Sequence, residues 1–103
     1  MIRLTRDTLN LMARYADSDK PLWLTEFGYG LDGHTTLADQ ARLLTHAYRL
    51  AVAEPRIERL YWFTLRDLER DILGLESSMG LLTQNWERKP AFYAYQSVAA
   101  GAA

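Results

Sequence analysis

Apolar residues return at helical spacing through the first fifteen positions. Leu4, Thr8, Leu11, Met12 and Tyr15 fall on one side of a 3.6-residue period, and the pattern stops in the polar run "DSDKP", which ends at Pro21. A first helix is predicted there. The next residues, "LWLTEF", are short, mostly apolar and bounded by Pro21 and Gly28, as expected of a strand covered on both faces. "GYGLDGHT" then reads as a loop. Thr36 with Asp39 three residues on resembles an N-terminal cap, and Leu37, Ala41, Leu44, Tyr48 and Ala51 carry a second helix up to Pro55.

"IERLYWF", from Ile57 to Phe63, reads as a second strand rich in branched and aromatic residues. Strand, helix and strand of these lengths predict a parallel pair joined by a right-handed crossover, a βαβ unit. Beyond it, "TLRDLERDILGLESSMGLLTQNWER" keeps no sustained period; its length and its mixture of charges and aromatics suit a functional loop. Pro90 then opens a last helix, "AFYAYQSVAA", that stops at Gly101. Phe92, Tyr93 and Tyr95 read as a helix face packed on the sheet.

Composition narrows the partners. The 103 residues fit one small domain, and the net charge of -1 is spread along the chain, so neither nucleic acid nor an anionic membrane is an expected partner. There is no cysteine, and His34 and His46 stand apart, so no metal and no cofactor are expected. No apolar run approaches the ~20 residues of a membrane helix. Two parallel strands with helices bury little and expose both edges. The pattern therefore implies either self-association, with copies completing one another's sheet, or the terminal part of a larger α/β protein. The element order suits the last two βα units of a barrel or the end of a doubly wound sheet.

Two chemistries compete for the loop after the first strand. "GYGLDG" matches G-x-G-x-x-G at Gly28, Gly30 and Gly33, the pattern of a dinucleotide-binding βαβ unit. Three features oppose it. Glu26 before the first glycine would repel phosphate, the helix signal begins only at Thr36, and Glu54 and Asp67 both miss the position of the ribose-binding acid. The other reading starts from Glu26 itself, a carboxylate at the C-terminal end of a parallel strand, where α/β folds place their active sites.

At this point "LTEFG" resembles the glycoside hydrolases of clan A, retaining (β/α)8-barrel enzymes whose seventh strand ends in a nucleophilic glutamate. "YWFTLRD" is similar to their eighth strand with its tryptophan platform, and "GLLTQNWERKPAFYAY" to the closing segment that leads into the eighth helix. The resemblance implies that residues 1–103 form the C-terminal portion of a TIM-barrel glycosidase domain, about strands 7 and 8 with flanking helices. It implies a carbohydrate substrate, with the remainder of the barrel as structural partner and Glu26 as nucleophile. It also implies that Trp62 lines the subsite under attack.

Period-2 alternation puts Leu60 and Trp62 on one face, expected to be the barrel interior, and Tyr61 and Phe63 on the other. Tyr29 is expected at the rim of the site, and Arg66, Asp67, Arg70 and Asp71 in the loop where substrate contacts are built. Trp86 either extends the sugar platform or packs its turn. The family's acid/base glutamate, on the fourth strand, has no counterpart in this chain, so the isolated chain is expected not to turn over substrate. The rival reading is a non-catalytic βαβ module that self-associates through its strand edges.

Overall fold

A computed structural model describes residues 2–69 and 77–101. Arg70 and Asp71, named above as loop candidates, lie outside the described residues. Helix α1 spans Ile2–Arg14, strand β1 Leu22–Phe27, helix α2 Leu37–Ala53, strand β2 Ile57–Trp62 and helix α3 Pro90–Ala99. The elements follow the periodicities closely because each boundary carries its own chemical stop. Thr36 accepts from the Asp39 N–H while the Asp39 carboxylate accepts from the Thr36 N–H, a complete capping box at the start of α2. Pro90 occupies the first turn of α3, where a missing N–H costs nothing. No described helix is long and apolar enough to cross a membrane.

The two strands form a parallel pair, with Leu22 opposite Ile57, Trp23 opposite Arg59, Leu24 opposite Leu60 and Phe27 opposite Trp62. The register shifts twice. One extra residue enters β2 between Ile57 and Arg59, and another enters β1 between Leu24 and Phe27. Each irregularity resets the alternation, so consecutive exposed residues, Glu58 with Arg59 and Thr25 with Glu26, appear in strands that otherwise alternate. Leu22, Leu24, Phe27, Ile57, Leu60 and Trp62 thereby share one face.

Helices cover that face. Leu44 of α2, Leu81 of the long connection and Ala91 of α3 form the buried centre, with Tyr48, Trp62, Phe92 and Tyr95 packed around it. Tyr48 and Tyr95 meet edge to face at 5.6 Å, and the Tyr48 hydroxyl donates to the Leu60 carbonyl at 3.1 Å. Burial raises the Tyr48 phenol above its ordinary pKa and keeps it a donor. The expectation that both faces of the strands are covered is corrected here. The second face carries Trp23, Arg59, Glu58 and Tyr61 and is exposed within this chain; Arg59 lies 5.0 Å over the Trp23 ring, and the Trp23 indole N–H donates to Glu58.

Helix α1 departs from its predicted stripe as well. Leu4, Leu11 and Tyr15 are exposed, and Leu9, between the predicted positions, is the residue that becomes buried. The reason is where the helix meets the rest. Thr5, Arg6 and Leu9 face Leu50 and Ile57 across a cavity of about 220 Å³, so the strongly apolar stripe points elsewhere.

The caps make a stability prediction. Thr36→Ala should lower unfolding free energy by about 1 kcal/mol, and Thr36→Ser should restore it, as read by urea denaturation. The carboxyls of Asp32, Asp39 and Glu54 are held below their ordinary pKa values by, respectively, the His34 and Thr35 N–H groups, the Thr36 N–H, and the Arg56 guanidinium. A depressed folded-state value means the contribution is complete above the unfolded value of about 4 and is lost as pH falls through the lower one. Stability should therefore decline on acidification below about pH 4, less steeply in Asp39→Asn. A rise in stability on acidification in that range would contradict the assignment.

Candidate active site at the C-terminal end of the strands

Glu26 is the penultimate residue of β1 and is exposed. The irregularity between Leu24 and Phe27 takes it off the helix-covered face, since Leu24 and Phe27 both face the helices and the extra residue lies between them. A carboxylate that would be costly in the core is thus presented at the open side of the sheet, at the end where parallel strands deliver functional groups. Gly28 follows because nothing larger fits. A Cβ there would overlap the Phe63 carbonyl oxygen, and the Phe63 N–H donates to the Phe27 carbonyl at 2.8 Å, so the two chains leave the sheet in close contact.

Trp62 is placed differently from the expectation. Its ring packs with the Leu44, Leu81 and Ala91 cluster, and its indole N–H donates to the Met79 carbonyl at 2.9 Å. The face assigned above to a barrel interior is therefore the helix-covered face, and Trp62 does not share the open side with Glu26. Tyr61 and Phe63 alternate away from it. The physical cause is the need to seat Phe27 against Trp62, with ring centroids 6.1 Å apart, while Tyr29 packs on both, 5.2 Å from Phe27 and 6.5 Å from Trp62. Burial in this aromatic group raises the Tyr29 pKa.

The long connection is tied down by buried polar groups. Lys89, only 3% exposed, donates from Nζ to Asp67 Oδ1 at 3.0 Å, to Asp67 Oδ2 at 3.3 Å and to the Ser78 carbonyl at 3.0 Å. Asp67 Oδ1 also accepts from the Gly80 N–H at 2.7 Å. A side chain at position 80 would collide with the Arg66–Asp67 backbone, which is why glycine stands there. Asp67, expected at the substrate, thus spends its carboxylate on a structural ion pair. Gln40 of α2, fully buried, reaches across from the other side: its Nε2 donates to the Tyr29 carbonyl at 2.6 Å and to the Ser78 carbonyl at 2.8 Å. Among the described residues nothing donates to its Oε1.

Arg66 turns outward from the same connection. Its Nε donates to the Gln84 carbonyl at 2.8 Å, Nη2 donates to the same oxygen, and its guanidinium lies 4.6 Å over the ring of Trp86. The N-terminus of α2, where a phosphate would sit in the dinucleotide reading, is closed by the Thr36–Asp39 box and carries the Asp39 carboxylate. The cleft between α1 and α2 lies at the opposite end of the sheet from Glu26, next to the first residue of β2. Lys89, Gly80 and Gln40 were not singled out by spacing. The one signal was "KP" before a helix, which marks a boundary but not a buried cation.

A family model described as glycosyl hydrolase catalytic core matches residues 4–95. No curated protein sequence matches the chain. Among solved structures, GH5_18 from Streptomyces cattleya in complex with GlcNAc is similar at a TM-score of 0.68 and 29% identity, over 78% of this chain and 20% of that one. A variant of the same enzyme in complex with Manβ1-4GlcNAc is similar at 0.64 and 30% identity, over 80% of this chain and 20% of that one. Xylanase 10B from Thermotoga petrophila RKU-1 in complex with xylobiose shares the fold at 0.63 and 20% identity, over 87% of this chain and 30% of that one. These neighbours are clan A (β/α)8-barrel enzymes, and the chain spans a fifth to under a third of their length.

The buried ion pair predicts its own mutational signature. Lys89→Met should cost about 3 kcal/mol or more, because it strands the Asp67 carboxylate in a partly buried site, and Asp67→Asn should also destabilise. The double variant should lose clearly less than the sum, which a double-mutant cycle by urea denaturation measures. Single variants each within about 0.5 kcal/mol of the parent would show that the pair does not hold the connection.

Proposed function

The chain belongs to the glycosyl hydrolase catalytic core family, and from that membership we propose that it is a C-terminal portion of a retaining TIM-barrel glycosidase, contributing strands 7 and 8, with Glu26 as nucleophile. The observation that carries the reading is the position of Glu26: an exposed carboxylate at the C-terminal end of a parallel strand, on the face the helices leave open, inside the matched span. The open face and both strand edges are then the surfaces that neighbouring strands of the barrel cover.

In this reading the Glu26 carboxylate attacks the anomeric carbon of a poly- or oligosaccharide. The bond to the leaving oxygen breaks as a second carboxyl group, about 5–5.5 Å away, gives that oxygen its proton, and a glycosyl ester on Glu26 results. The same second group then deprotonates a water that releases the sugar with its configuration retained. Asp67 follows the neighbouring strand, but its bonds to Lys89 and Gly80 favour an acid/base residue contributed from outside this chain. Of the aromatics, Phe63 suits the sugar side, since it alternates away from the helix-covered face, while Trp62 supports Phe27 and Tyr29 from behind. Tyr29 forms the rim. The carbohydrate ligands of the similar structures, GlcNAc, Manβ1-4GlcNAc and xylobiose, support a carbohydrate substrate for the completed barrel.

Removing the nucleophile tests this directly. In the completed barrel Glu26→Ala should lower kcat by roughly four orders of magnitude. Azide should restore turnover by attacking the anomeric carbon from the vacated side, giving a glycosyl azide of inverted configuration. Near-parental activity in Glu26→Ala, or an azide product of retained configuration, would reject Glu26 as nucleophile.

A further inference from the structure

The connection between β2 and α3 ends in a small hairpin. Leu82 and Arg88 form an antiparallel bridge, and the residues between them, "TQNWE", are closed by backbone bonds from Trp86 N–H to the Thr83 carbonyl at 3.0 Å and from Thr83 N–H to the Glu87 carbonyl at 2.8 Å. The Thr83 hydroxyl accepts from the Asn85 and Glu87 N–H groups at 3.3 and 3.1 Å. This is a turn followed by a residue in the left-handed region, where glycine is the default. The residue there is Trp86, with φ +67°. A left-handed conformation costs an L-residue roughly 1–2 kcal/mol, and the backbone bonds of the turn need no side chain at this position.

Trp86 gains little burial in return, being 62% exposed. One face of its indole is occupied: Arg66 is fixed by two N–H donations to the Gln84 carbonyl and lays its guanidinium 4.6 Å from the ring centre. The other face is open. The arrangement is a large flat aromatic surface, at a strained backbone position, braced from behind by a cation. It sits on the connection that leaves the C-terminal end of β2, the same end of the sheet as Glu26.

We propose that Trp86 is a second carbohydrate-stacking platform, braced by Arg66, which holds a ring of an oligosaccharide other than the one attacked at Glu26. The inference deepens the glycosidase reading and rests on it. An open aromatic face matches the C–H-bearing face of a pyranose, and the brace fixes the indole before the sugar arrives, which lowers the ordering cost of binding. Arg66 is a positioning residue for the indole in this scheme.

All parts of the platform lie within this chain, so binding is measured on it. The chain, labelled with ¹⁵N, is titrated with β-1,4-mannohexaose and with β-1,4-xylohexaose while the indole N–H resonances are followed, and variants are melted in parallel. At least one hexasaccharide should shift the Trp86 indole resonance saturably. Trp86→Gly should weaken that binding about tenfold or more, while its melting temperature stays level or rises because glycine suits the turn. Trp86→Phe should keep part of the affinity. No shift with either sugar overturns the proposal. So does unchanged affinity in Trp86→Gly, with or without a fall in melting temperature, since Trp86 then serves only its turn. If Trp86 is inert toward sugars while Glu26 remains essential for turnover in the completed barrel, this inference alone fails. If Trp86 binds sugar while Glu26 proves dispensable, the nucleophile assignment fails and the platform stands.

Discussion

A single buried ammonium, that of Lys89, sets the geometry of the C-terminal end of the sheet. A cation removed from water must be paired and have its donors satisfied, or the structure pays several kcal/mol. Lys89 meets that demand by drawing together the Asp67 carboxylate from the exit of β2 and the Ser78 carbonyl from the far side of the connection. Ser78 in turn accepts from Gln40 of α2, and Gln40 also holds the carbonyl of Tyr29 in the loop after β1. One charge therefore fixes the loop that follows Glu26 relative to the loop that follows β2. The starting point of α3 is fixed by the same residue, which is its N-cap.

The second organising feature is the asymmetry of the strand pair. Two register irregularities, one in each strand, sort the side chains so that apolar residues collect against α2 and α3 while Trp23, Glu58, Arg59 and Glu26 stay off that core. Glu26 is left solvated, where its charge costs little and its oxygens are accessible, yet its backbone is anchored by the Phe27–Phe63 hydrogen bond and by the close approach at Gly28. The nucleophilic role proposed for Glu26 needs that combination of a rigid support and a free head group. The apolar stripe on α1, with Leu4, Leu11 and Tyr15, is likewise left exposed by this chain's own packing.

Much of this was legible in the sequence because it is governed locally. Helical period, the Thr36 and Asp39 box, Pro21, Pro55 and Pro90 as breaks, and alternation with aromatic enrichment locate the elements without reference to tertiary structure. Glu26 was legible too, as a charge at the end of an apolar run. What periodicity could not reveal depends on contacts far apart in the chain. The irregularity between Leu24 and Phe27 is set against Leu60 and Trp62 of the other strand; alternation groups Leu60 with Trp62 correctly, but only the packed helices show that this is the face they cover. Gln40 and Lys89 are residue types that normally face water, and each is buried because acceptors from a distant segment meet it. Leu9 replaced the predicted stripe of α1 for a similar reason, since the neighbours of the helix, not its own pattern, decide which side is covered.

The most direct measurement of the central claim is to trap the covalent intermediate. A 2-deoxy-2-fluoroglycoside with a good leaving group reacts with a retaining glycosidase but leaves the enzyme slowly, so incubation with the completed barrel followed by digestion and mass spectrometry locates the esterified carboxylate. A single sugar adduct is expected, on the peptide that contains "PLWLTEFGYG", at Glu26. An adduct on any other carboxylate would contradict it.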